Sequence, residues 1–389
     1  MRKAAIAPVR TAFRQPLSTL SRSGIAASSA SSAPSAAFTT STSPLLSQRQ
    51  FSRPFSGGGT RNAIAVQHAT TGLGSQLIEP GVILKGYSGR EYTVQNVLQD
   101  RQNRHVYLAR ANEEMFVLKS LVENEYNYAL PLQLSFKRSP YLRSLRDTVP
   151  EQKMFVNEYL TDHLLNLAFK DLTLPVQKRI LRDTLRGLAA LHDQNIAHLD
   201  IKANNIMIDY RDTPSGTVVD RVQLSDLEDS TLIPPGQALS GLQVGNHFWR
   251  SPEAHVQGAV GKPSDIFSLA IVFIFLRLRS VIFFVDNAQT IDPTMTILER
   301  QISHFAEWKD FDGFLDYLGP RHAWRRDFHR MAKSFGEKNP RRPFSLWKSE
   351  FLDDEFKDLI AKMTNFDPRK RITAEKALEH PWFDDVAEA

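Results

Sequence analysis

Residues 196–210 read I-A-H-L-D-I-K-A-N-N-I-M-I-D-Y. His198, Asp200, Lys202 and Asn205 are polar, in a segment otherwise fit for burial: Ile196 and Ala197 lead in, and Ile206, Met207 and Ile208 lead out. Polar groups lodged between short apolar, strand-like runs need partners, or they cost stability. An Asp, a Lys two residues on and an Asn five residues on can aim at one point from a single tight loop. A carboxylate to hold an attacking hydroxyl, a cation for a phosphoryl oxygen and an amide oxygen for Mg2+ are what phosphoryl transfer needs. The plainer reading is a β-hairpin loop whose Asp and Asn serve turn geometry.

The chain has 389 residues, enough for a two-lobed fold with an additional tail. It contains no cysteine, which excludes disulfides and thiolate metal sites. The net charge of +5 is unevenly placed. Residues 1–78 carry eight Lys/Arg and no Asp or Glu, so the remainder holds 40 basic against 43 acidic residues. The basic excess belongs to the tail and gives no reason to expect nucleic-acid binding by the body.

The tail itself is rich in Ala, Ser, Thr and Arg, a composition that cannot bury enough apolar surface to fold. Ile6, Val9, Phe13, Leu17 and Leu20 fall on one helical face, with Lys3, Arg10 and Arg14 beside it and Pro8 and Pro16 limiting its length. Basic, Ser-rich, acid-free and amphipathic describes an organellar transit peptide. Arg49-Gln50-Phe51-Ser52 resembles a mitochondrial processing site cut after Phe51. The expected organisation is a mitochondrial transit peptide over 1–51 and a disordered linker over 52–88.

Beyond the linker, residues 92–98, 106–110 and 115–120 are short, β-prone runs separated by polar turns, which predicts an antiparallel sheet. Lys119 closes the apolar run Met115-Phe116-Val117-Leu118. Residues 154–159 form another β-like run, and 161–170 read as a helix after it. Residues 176–194 carry apolar residues at helical spacing, with Asn195 placed to end the helix. The apolar stretch from Pro263 to Val285 is interrupted by Arg277 and Arg279, too broken for a membrane span.

Six of these segments, in order, resemble the motifs of the eukaryotic protein kinase family. They are Phe116-Val117-Leu118-Lys119; the hinge-like Asn157-Glu158-Tyr159-Leu160; His198-x-Asp200 with Lys202 and Asn205; Asp226 after the strand at 222–225; Gly245 to Glu253; and Asp367 to Arg371 followed by His380-Pro381-Trp382-Phe383. The resemblance covers about residues 90–385. It implies an α+β, bilobal protein-kinase-like fold, with a small antiparallel β lobe carrying one helix (89–159) and a larger, mainly α lobe (160–385). It implies Asp200 and Lys202 as catalytic residues, Asn205 and Asp226 as Mg2+ ligands, and Lys119 on the α/β-phosphates of ATP. Val106, Val117, Glu158, Leu160 and Met207 are the further residues expected at the nucleotide, with backbone groups of Glu158 and Leu160 meeting adenine. Arg371 is expected to pair with Glu253.

The sequence departs from the family at several points. The three glycine positions of the phosphate-covering loop fall on Gln99, Arg101 and Arg104, where two arginines replace backbone contact as candidate phosphate ligands. No acid lies between Tyr126 and Arg146, and Pro131 is expected to interrupt the helix that should carry a glutamate for Lys119, leaving Gln133 or Asn127 at its position. Val117 replaces a small residue, Glu228 a glycine, Leu199 an arginine, Asn246 a threonine and Trp249 a tyrosine. The reading is a Ser/Thr protein kinase using Mg-ATP on a protein substrate. The alternative is a pseudokinase, a nucleotide-binding or scaffolding module. A small-molecule phosphotransferase is disfavoured by Ser251-Pro252-Glu253 and residues 367–371. Residues 321–330, R-H-A-W-R-R-D-F-H-R, predict a basic amphipathic helix, either merely solvated or a docking surface for an acidic protein partner.

Overall fold

The computed structural model describes residues 51–52, 77–101, 104–286 and 290–386. Alternation drives the first lobe. Tyr92, Val94, Tyr107, Ala109, Phe116 and Leu118 are buried on one face of a sheet. The opposite face carries the half-buried Val106, Leu108, Val117 and Lys119. The strands are β1 (Ile83–Lys85), β2 (Glu91–Arg101), β3 (Arg104–Ala111), β4 (Glu114–Ser120), β5 (Asp147–Val149) and β6 (Met154–Glu158), paired antiparallel in the order β1-β2-β3-β4-β6-β5. Register sets Val106 opposite Lys119 and Leu108 opposite Val117, so the lysine and both valines share the face turned from the lobe's core.

Two expectations change here. The linker does not extend to residue 88, because β1 pairs with β2 through Ile83, Leu84 and Lys85. The alternation there is only three residues long, too short to stand out. Helix α1 (Glu123–Ser135) runs through Pro131 instead of stopping at it. Pro131 and Asn127, whose carbonyl loses its bond, both face solvent, where water takes the freed group.

The second lobe packs around two helices. In α3 (Leu174–Asp193), Ile180, Leu181, Leu185, Leu188 and Leu191 are buried, and Asn195 follows in the left-handed region (φ +60°) as its spacing suggested. Helix α5 (Lys262–Leu278) is buried from Ser264 to Arg277. Arg277 is accommodated inside by bonds to Gln177 Oε1 (2.7 Å) and the Phe351 carbonyl (2.9 Å). No helix among the described residues is long and apolar enough to cross a membrane. The expected helix over 161–170 shrinks to α2 (Leu164–Leu167), since Asp162 and His163 form strand β7 against β8 (Ile206–Thr213). Strand β9 (Gly216–Leu224) pairs with β8 and ends just before Asp226. The remaining helices are α4 (Pro252–His255), α6 (Pro293–Phe305), α7 (Trp308–Leu318), α8 (Arg325–Lys333), α9 (Asp354–Met363) and α10 (Ala374–Leu378). A sheet lobe followed by a helical lobe is the α+β bilobal architecture anticipated.

Phe51–Ser52 forms a two-residue antiparallel pairing with Ala238–Leu239. The transit-peptide reading otherwise lies outside the described residues.

The Glu253–Arg371 pair is fully enclosed, with both side chains 0% exposed. Arg371 grips both carboxylate oxygens at 2.6 and 2.9 Å, and Ser264 donates to Oε1 at 2.8 Å. Burial works against the Glu253 charge, but Arg371 and hydrogen bonds from the backbone and Ser264 together outweigh it and hold the carboxyl below its usual range. Glu253→Gln therefore strands a buried guanidinium, and denaturant unfolding should show a loss of about 3–5 kcal/mol. The contribution should be present above the unfolded carboxylate pKa of about 4.3 and disappear as pH falls through the lower folded value. An unchanged midpoint in Glu253→Gln would show that the pair is not structural.

Candidate active site

The loop of residues 198–205 is held by a carboxylate that the sequence reading passed over. Asp265, in the first turn of α5, accepts the backbone N–H of His198 and of Leu199, both at 2.8 Å, and lies 3.0 Å from His192 Nε2. Leu199 sits in the left-handed region (φ +66°), a conformation costly for a branched side chain and sustained here by Asp265. The signal was available: an acid inside a long apolar stretch needs buried partners. His198 adds the second anchor. Its Nδ1 accepts the Asp200 N–H (3.2 Å), so its protonated Nε2 donates to the Ser225 carbonyl (2.9 Å). That bond joins the loop to the residue before Asp226.

On this frame the expected residues converge. Lys202 Nζ donates to Asp200 Oδ2 at 2.6 Å. The Asn205 amide N–H bonds the Asp200 carbonyl (2.9 Å) and Oδ2 (3.2 Å), which leaves its amide oxygen facing away from Asp200. The Ser225 N–H and hydroxyl both bond the Asn205 carbonyl, at 2.8 and 3.0 Å, and so set Asp226 beside Asn205. An amide oxygen and a carboxylate are the hard donors Mg2+ takes, with waters and phosphates completing its shell. Burial raises the Asp200 pKa, against the opposing charge of Lys202. Asp226 has the left-handed backbone (φ +64°) and keeps a third of its side chain accessible (33%).

Lys119 reaches across from the first lobe to Asp226 and to Glu228 Oε2, the latter at 3.2 Å. Burial disfavours its charge, yet the two carboxylates raise its pKa overall. Neither Gln133 nor Asn127 takes the place of the missing helix acid: Asn127 faces solvent, and the partners of Lys119 come from the other lobe. Glu125 of α1 is bonded to Arg104 instead. Arg104, a candidate phosphate ligand by sequence, is thus paired with the helix. Asn246, in place of the family's threonine, closes its own turn: its Oδ1 accepts the Phe248 N–H at 3.1 Å.

Val106 and Val117 line the same face as Lys119, Met207 is half-buried on β8 opposite His163, and Leu160 is buried after β6. Glu158 is surrounded by arginines that sequence reading did not single out. Arg146 and Arg221 bind its carboxylate at 2.5 and 2.8 Å. Arg143 binds its backbone carbonyl. The basic run at 321–330 partly forms α8, with Phe328 and Met331 buried and Arg326, His329, Arg330 and Lys333 exposed.

Comparison with known proteins places this geometry. The model described as protein kinase domain matches residues 88–383. Cyclin-dependent kinase 4 of Ovis aries and that of Bos taurus are each 30% identical over 211 residues, 54% of this chain and 60% of theirs. The chain thus spans about 60% of the length of these curated relatives. Among solved structures, one from the yeast RNA Pol II CTD kinase CTDK-1 complex superposes with a TM-score of 0.61 at 19% identity, covering 82% of this chain and 98% of that one. At such identity the likeness bears on the fold alone.

Because Glu228 helps to keep Lys119 protonated, Glu228→Gln should lower the lysine pKa. At fixed alkaline pH, acylation of Lys119 followed by mass spectrometry should accelerate, by about tenfold for each pKa unit lost. An unaltered rate would show that Glu228 does not act on Lys119.

Proposed function

Because the chain belongs to the protein kinase family, we propose that it transfers the γ-phosphoryl group of a magnesium-bound nucleoside triphosphate, ATP being the family's donor, to a Ser or Thr hydroxyl of a protein. The observation that carries this reading is the convergence of Asp200, Lys202 and Asn205 on one pinned loop, to which Ser225, the residue before Asp226, is bonded. Asp200 orients the acceptor hydroxyl and takes its proton. Lys202, 2.6 Å from Asp200, stands where a transferring phosphoryl would meet it and neutralises the charge that develops. Lys119 holds the α/β-phosphates. Asn205 and Asp226 would hold Mg2+, which supplies charge neutralisation and alignment of the phosphates. Lys202, two residues after the Asp, favours Ser/Thr over Tyr as the acceptor.

A second reading has its own observation. Lys119 is held by Asp226 and Glu228 rather than by a helix acid, and the covering loop lacks glycines. Both suit a pseudokinase that binds nucleotide without transfer. The exposed cations of α8 suit an acidic protein partner in either case. The acid-free tail supports import into mitochondria, which a fluorescent fusion of residues 1–60 would test by co-localisation; a diffuse signal counts against it.

With γ-labelled ATP and GTP, phosphoryl transfer by wild type should exceed that of Asp200→Asn by about 10²–10⁴-fold, with nucleotide binding retained in the variant. Equal, background-level transfer by the two proteins would favour the pseudokinase. The Asp200 pKa is raised, and the protonated acid cannot accept a proton. The kcat/KM profile should therefore fall on the acid side through a limb above the usual Asp value of about 3.9. No acid limb in that range would argue against Asp200 as the base.

A further inference from the structure

Arg143 stands in the first-lobe segment that docks on the second. The Tyr141 carbonyl accepts the Leu224 N–H at 2.8 Å, and the Arg143 N–H donates to the Leu224 carbonyl at 2.9 Å. Gly187 of α3 permits this approach, since a Cβ there would meet the Tyr141 carbonyl at 2.6 Å. Arg143 is thus fixed by its backbone to the end of the strand that delivers Asp226. Its side chain runs to the hinge, where Nε and Nη2 both donate to the Glu158 carbonyl at 3.0 and 2.5 Å. Burial lowers its pKa to about 10, with Glu228 and Asp226 the first of the acids that oppose the shift. The guanidinium is thus anchored on the hinge carbonyl, within the field of the acids that hold Lys119.

A guanidinium only donates hydrogen bonds, and a carbonyl oxygen only accepts them. Two donors already fill the Glu158 carbonyl. The 6-amino group of adenine is a third donor, and it would face the donor edge of Arg143 as well. A purine carrying a carbonyl at C6 presents an acceptor to the same edge. We propose that Arg143 sets the base specificity of the nucleotide site, turning away the 6-amino group of adenine and receiving a 6-oxo purine. This rests on the kinase reading above, because it presumes that a nucleotide base enters beside Glu158.

ATP and ITP make the comparison directly, since they differ at C6 and its adjoining ring proton. Calorimetric titration of the full chain with Mg-ATP, Mg-ITP and Mg-GTP should show ITP and GTP binding about tenfold or more tighter than ATP, the size of one charge-assisted hydrogen bond. Arg143→Val should reverse the order. Arg143→Lys, which keeps the charge but not the paired donors, should fall between them and guards against a Val variant that fails to fold. Equal affinities in wild type, or an ATP:ITP ratio unmoved by either substitution, would overturn the inference and leave the kinase reading standing. Failure of wild type and both folded variants to bind any of the three nucleotides would overturn the kinase reading itself, and this inference with it.

Discussion

One buried carboxylate organises the large lobe's chemistry. Asp265 is 1% exposed and spends its oxygens on the backbone of His198 and Leu199. An isolated ionised acid in such a place would be prohibitively costly, so its two N–H donors and His192 are conditions of its presence. In return it fixes a left-handed Leu199 and with it the direction in which Asp200 leaves the loop. Because Asp265 belongs to a helix enclosed on every side, the loop inherits the rigidity of the core. Pre-organisation of this kind is what the role proposed for Asp200 requires.

The small lobe is arranged differently. Its lysine is drawn toward the large lobe by Asp226 and Glu228, whereas α1 turns its acid to Arg104. At the site the two lobes are thus joined by charge, beside the packing of α1, whose Leu132 lies against the large-lobe core and whose Tyr128 hydroxyl meets Thr231 Oγ1 at 3.3 Å. The same economy recurs at the hinge, where Arg143, Arg146 and Arg221 gather on Glu158. Acids gather around Asp226, where Lys119 already offsets part of their charge, and cations gather around Glu158.

Much of this was legible in the chain. Asp200, Lys202 and Asn205 were recognisable because polar residues at short, fixed spacing stand among residues that must be buried, whereas Asp226 entered through the family resemblance. The sheet was legible from alternation and α3 from its 3.6-residue period, since both patterns record which face meets the core. Glu253 and Arg371 were paired in advance only through the family resemblance; 118 positions separate them in sequence, and no local rule joins them.

The sequence by itself determined which residue types were available for phosphoryl transfer, because those depend on side-chain chemistry and local spacing. Only the tertiary structure decided their partners. Glu228 and not a helix residue meets Lys119, Arg104 spends its charge on Glu125, and Arg143 takes the Glu158 carbonyl. These contacts link segments from 15 to 109 residues apart. Hydrogen bonds and ion pairs act over a few ångströms, and which distant groups come that close is settled by packing within the first lobe and between the lobes.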